Sequence, residues 1–181
     1  MGIYATYRRI TPDKFAQLQL HPDEAEAFFG WNLDLDNQAV VDSYFDAIEA
    51  DERYLDVGKS WQTIRFLLTG EAIHSNESNP VPRFYDVFLG GRETRFEAGY
   101  GWVRYFTQDE VVEVAKSLNK ISTDQLHSRL GSEALASASI HPTKQHWNES
   151  ELEQLLSTCT KLVSFFNEAA KQGDVVLIAF D

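Results

Sequence analysis

The strongest constraint on this chain is the junction at Gly173. Before it, Leu152, Leu155, Leu156, Cys159, Leu162, Val163, Phe166 and Ala170 fall on one narrow arc, the three- and four-residue spacing of an amphipathic helix. Asn148 and Glu151 supply a capping box to open that helix near residue 149, and Gly173 supplies its stop. After the glycine, residues 174–180 are apolar throughout their middle, with no alternation. Such a strand belongs in the centre of a sheet, covered on both faces. The rest of the chain must therefore provide its neighbours.

Those neighbours are distant in sequence. Residues 2–9 alternate as a first strand, residues 84–89 suggest a second, and residues 99–106 a third, with Tyr100, Trp102, Arg104 and Phe106 on one side. Helices fill the intervals. Thr11 caps and Pro12 opens one that ends at His21-Pro22, and a short one follows over residues 23–29. In residues 38–50, Val40, Val41, Tyr44, Phe45 and Ile48 share an arc that predicts a core face, opposite Asp42, Asp46 and Glu49. Trp61, Ile64 and Leu68 mark a helix closed by Gly70. Thr107 with Glu110, and Ser122 with Gln125, form two more capping boxes. Gly131 closes the second of these helices, and another is expected over residues 132–139. Residues 74–82, rich in Ser, Asn and Pro, predict an exposed loop.

The expected fold is therefore α+β, a small mixed or antiparallel sheet packed with about six to seven helices. With no repeat, linker or low-complexity tract, residues 1–181 are expected to form a single domain. Apolar residues make up 43% of the chain and aromatics 13%, too much for a disordered acidic tail. The first residues lack the pattern of a signal peptide, and no apolar run is long enough to span a bilayer. With one cysteine no internal disulfide forms, and the expectation is a cytoplasmic protein. Cys159 lies on the apolar helical stripe as core filling.

A net charge of −12 argues against nucleic acid and against an anionic membrane surface, because both are bound mainly through cations. Gly58-Lys59-Ser60 lacks the earlier glycine of a phosphate loop, since Arg53 stands at that position. The five histidines have no zinc spacing and no accompanying cysteine pair, so no metal and no cofactor is expected. His74, beside Glu71 and Glu77, is a candidate general base, but no nucleophile or orienting partner accompanies it. Arg104, a planar cation among strand aromatics, suits a carboxylate, a phosphate or an internal acid.

The run Leu55-Asp56-Val57-Gly58-Lys59-Ser60-Trp61, continued by Ile64 and Phe66-Leu67-Leu68-Thr69-Gly70, resembles the bacterial YfbM-like family, a domain of unknown function. Gly2-Ile3-Tyr4, the stretch from Gly99-Tyr100-Gly101 through Thr107, and Gly173-Asp174-Val175-Val176-Leu177-Ile178 extend the likeness over essentially the whole chain. The resemblance implies a compact cytoplasmic α+β domain with no assigned reaction. It marks Lys59, Trp61, Tyr100 and Arg104 as candidates for a shared pocket. Gln62 and Arg65 stand in the Trp61 helix where relatives often carry histidine, and Trp102 stands where they often carry proline.

The charge is concentrated. Residues 21–56 hold eleven acids and one base, Arg53, for a net −10 of the total −12. The preferred expectation is a non-enzymatic protein-binding module, of inhibitor or immunity type, docking a basic partner through this segment with Asp42, Asp46 and Glu49 at the contact. The alternative is a small-molecule binder or enzyme using Lys59, Trp61, Tyr100 and Arg104. Nothing in the pattern sets an oligomeric state.

Overall fold

The computed structural model describes residues 2–71, 86–131, 135, 140 and 147–181. In chain order its elements are β1 (Ala5–Ile10), α1 (Pro12–Leu20), α2 (Pro22–Phe29), α3 (Gln38–Glu49), β2 (Tyr54–Gly58) and α4 (Trp61–Thr69). Then come β3 (Arg92–Ala98), β4 (Gly101–Phe106), α5 (Gln108–Leu118), α6 (Thr123–Leu130), α7 (Glu149–Gln172) and β5 (Val175–Phe180). The sheet order is β2-β1-β5-β4-β3, and every neighbouring pair is antiparallel. The C-terminal strand is central, as its unbroken apolar run requires. Tyr7 and Arg104 face Ile178 from either side.

Each face of β5 meets its own core. Val176 and Ile178 pack with Tyr7, Phe106, Leu162 and Phe166 in a core supplied by α4 to α7. Val175, Leu177 and Ala179 pack with Ile10, Phe96, Val103, Leu18 and Phe29 in a second core closed by α1 and α2. Tyr7 anchors the first: its ring meets Phe88, Phe165 and Phe166 edge-on, at centroid distances of 5.9, 6.2 and 5.9 Å. Its hydroxyl donates to the Val87 carbonyl at 2.8 Å, so the buried phenol leaves no polar atom unsatisfied. α7 buries Leu155, Cys159, Leu162, Phe165, Phe166 and Ala169, while Leu152, Leu156, Val163 and Ala170 are half-buried. The predicted stripe is correct in position and is turned toward Phe165 and Ala169.

All three predicted capping boxes form, at Thr107 with Glu110, Ser122 with Gln125 and Asn148 with Glu151. Each satisfies two backbone N–H groups that a helix start would leave without partners. Gly173 takes the left-handed conformation, φ 68°, that turns α7 directly into β5.

The structure corrects the sequence expectation at four places. Within residues 84–89 the described part, Asp86 to Leu89, is a turn and not a strand. Asp86 Oδ1 accepts from the Phe88 and Leu89 amides, both at 3.0 Å, and the Asp86 carbonyl accepts from Gly90 N at 2.7 Å. This side-chain cap competes with extended pairing, although Val87 and Phe88 stay buried. The missing strand is β3, whose buried face is Thr94, Phe96 and Ala98. β2 is also a strand, a short edge piece before α4. Finally, the predicted core face of α3 is only partly covered: Ile48 alone is buried, with Val40 43% and Phe45 52% exposed. The expected helix over 132–139 lies outside the described residues, apart from a buried, helical Leu135. So do the loop over 74–82 and His74, His141 and His146. Among the described residues no helix is long and apolar enough to cross a membrane.

Candidate functional site

The four candidate pocket residues divide between two tasks. Lys59, exposed after the turn at Gly58, sets its ammonium 4.9 Å from the centre of the Tyr4 ring. Trp61 opens α4 and is almost fully buried, 5.0 Å from Phe180 and 5.9 Å from Phe88 between ring centres. Tyr100 keeps its ring 48% exposed, and its amide donates to the Phe180 carbonyl at 2.9 Å. Tyr4 pairs by backbone with Asp181. Lys59, Trp61 and Tyr100 are thus gathered around the end of β5. Arg104 is used elsewhere. Its Nε donates to the Gly90 carbonyl at 2.8 Å, Nη2 to the Gly91 carbonyl at 2.9 Å, and Nη1 to Glu93 Oε1 at 2.8 Å. Those bonds fasten the turn into β3, where Gly91 at φ 72° passes so close to the Tyr105 carbonyl that a Cβ would lie 2.5 Å from it. The internal acid is therefore Arg104's partner.

The acidic segment presents a different surface. Of its eleven acids all but Glu24 are exposed. Glu24 is also the one that forms an ion pair among the described residues, with Lys14 at 3.6 Å. Asp42, Asp46 and Glu49 stand exposed on α3, with Asp42 accepting from Gln38 Nε2 at 2.7 Å. On a helical wheel Phe45 lies about 60° from Ile48 on the side of Glu49 and Asp42, so an exposed ring borders the acidic face. Leu35, just before the helix, is 76% exposed.

α3 is held by Tyr44 and Ile48. The Tyr44 hydroxyl accepts from Arg8 Nη2 at 2.8 Å, and the ring occupies the space a Cβ on Gly30 would take. Gly30, at φ 75° after α2, is required both by that turn and by the ring. Arg8 itself sits in an aromatic cage, its guanidinium carbon 4.8 Å from Phe28, 5.3 Å from Phe29 and 5.4 Å from Tyr54. Beside it, between β1, the first turn of α1 and residues 51–54, lies a cavity of about 190 Å³. Sequence reasoning did not single out Arg8 and Arg53, which line this cavity. Arg53, the lone base in the acidic block, was the signal.

Other chemistry is structural. Burial pushes the Cys159 thiol up to about 12, which suppresses the nucleophilic thiolate. His127 Nδ1 donates to the Thr123 carbonyl at 2.9 Å within α6. Among the described residues no group of three or more His, Cys, Asp and Glu side chains could hold a metal.

A solved structure similar to this chain is that of YfbM from Escherichia coli, a protein of unknown function. It is 19% identical with a TM-score of 0.63, over 98% of this chain and 99% of that one. At such identity the likeness shows the fold. None of the curated proteins matches. A family model described as a domain of unknown function, DUF1877, matches residues 1–179, in agreement with the YfbM-like resemblance carried by the sequence motifs. The chain belongs to the DUF1877 family.

Proposed function

We propose that residues 1–181 act in the cytoplasm as one non-enzymatic binding module that docks a basic protein through residues 21–56. The observation that carries this reading is Phe45. A large ring half-exposed on a helix, bordered by Asp42 and Glu49, is the arrangement of an apolar anchor inside a charged rim. The rim sets the partner's chemistry: opposite charge speeds encounter and rejects acidic competitors. A partner fitting this face carries Lys or Arg around an apolar pocket that accepts the ring. Such a face suits an inhibitor or immunity protein that covers a cationic active surface.

The placement of Arg104 and Trp61 favours this reading over a pocket enzyme, because one is bonded to the turn before β3 and the other packed into the core. The test is capture from lysate by the parent chain, by an Asp42→Lys/Asp46→Lys/Glu49→Lys variant and by Phe45→Ala, at low and high salt. Support requires a basic protein that is lost with the charge reversal, with Phe45→Ala and at high salt. A captured protein indifferent to all three, or none at either salt, contradicts the reading.

A further inference from the structure

In a chain with net charge −12, the cavity beside Arg8 collects cations. Arg8, Lys14 and Arg53 line it, together with Phe28 and Tyr54, while Arg9 borders it from β1 with its guanidinium turned to the other face of the sheet, 5.4 Å from the centre of the Phe165 ring. Their compensation is incomplete. Arg8 donates to a neutral partner, Tyr44, and has no carboxylate among the described residues. Its Nε is buried without a hydrogen-bond acceptor. Lys14 shares Glu24 with Gln17. The Arg53 side chain has no ion pair among the described residues, and Asp51, which also lines the cavity, accepts from the Arg53 amide at 2.9 Å. Burial and the nearby Asp56 push the Tyr54 phenol up to about 12, so it lines the cavity as a neutral ring at physiological pH.

A buried guanidinium N–H lacking an acceptor is costly, and an oxyanion with several lone pairs supplies one. The aromatic cage holds Arg8 in place beforehand, which reduces the ordering cost of binding. At about 190 Å³ the space falls below the roughly 300–1,000 Å³ of drug-sized ligand sites. The occupant is therefore small. The geometry points to a binding site for a phosphate-class oxyanion, held by Arg8, Lys14 and Arg53. The Asp51 carboxylate at the rim disfavours a bulky polyanion. The surrounding acids are screened over a Debye length of about 8 Å at physiological salt, so the contact cations determine the outcome.

The probes are inorganic phosphate and phenyl phosphate, titrated calorimetrically into the full chain, with sodium chloride at matched ionic strength as the control. Thermal unfolding is followed in parallel. Phosphate is expected to bind and raise Tm where chloride does not, and Arg53→Glu to weaken it at least tenfold. Arg53 is exposed, so that variant keeps the fold, as circular dichroism and an unshifted ligand-free Tm verify. Arg8→Lys provides a second reading inside the cavity, also with weaker binding. Phenyl phosphate binding at least tenfold tighter than phosphate assigns the site to a phosphoryl group on a small organic molecule. Equal binding assigns it to the free anion. No heat and no Tm shift beyond chloride with either probe, or unchanged affinity in folded Arg53→Glu, overturns the proposal.

Discussion

Arg8 Nη2 donates to the Tyr44 hydroxyl at 2.8 Å, and this contact ties the acidic helix α3 to β1. Only Ile48 is otherwise buried on that helix. Tyr44→Phe keeps the ring over Gly30 and removes the acceptor of a charged donor, so it is expected to destabilise by about 1.5–3 kcal/mol. Hydrogen exchange across residues 38–49 should accelerate more than exchange in α7. Equal acceleration in both helices would mean that the bond does not hold α3 locally.

Phe45 and Ile48 are neighbours on one helix with opposite expectations. Phe45→Ala should change stability by no more than about 0.5 kcal/mol, as an exposed substitution does, and abolish partner capture. Ile48→Ala should cost at least about 2 kcal/mol by opening the buried side. Urea unfolding of the two variants checks the contrast, and a large loss in Phe45→Ala would show that its ring is structural.

Alkaline pH should unfold the protein through two buried groups, Tyr7 and Cys159, and the half-buried Tyr54. Burial holds the Tyr7 phenol well above its ordinary range, with Asp86 adding to the rise, and pushes Tyr54 and Cys159 up to about 12. Each binds its proton more tightly folded than unfolded. Their stability contribution is complete below about pH 9 and lost as pH climbs toward 12. For Cys159 alone the slope is about 1.4 kcal/mol per pH unit across that window. Cys159→Ala should flatten the fall in urea midpoint between pH 9 and 11, and an unchanged slope would remove the thiol from the explanation.

Arg65 and Asp86 form a buried pair at 2.7 Å, and Asp86 also caps the turn before Gly90. Arg65→Ala leaves that carboxylate buried without its cation. The expected loss is about 3–5 kcal/mol, read as a lower urea midpoint. A loss below about 1 kcal/mol would show that Asp86 is satisfied by its backbone donors alone.

The sheet's centre and the helix ends were legible because each depends on local chemistry. The run from Val175 to Phe180 demands two covered faces, and a box such as Asn148 with Glu151 needs only residues three apart. β3 was not legible, because its buried face has one large apolar side chain, Phe96. At residues 86–89 the apolar run pointed to a strand, and one carboxylate, Asp86, redirected the backbone. For α3 the periodicity located the apolar arc without its depth. Whether Phe45 is covered depends on a neighbour that no local pattern encodes. Arg8 was hidden for the same reason: Phe28, Phe29, Tyr44 and Tyr54 reach it from three separate segments.

The most direct test of the binding account is hydrogen exchange of the captured complex against the free chain. The account predicts protection concentrated in α3, around Phe45, with little change in β3 and α6. Protection confined to the end of β5 near Lys59, Trp61 and Tyr100, with α3 exchanging as in the free chain, would contradict it.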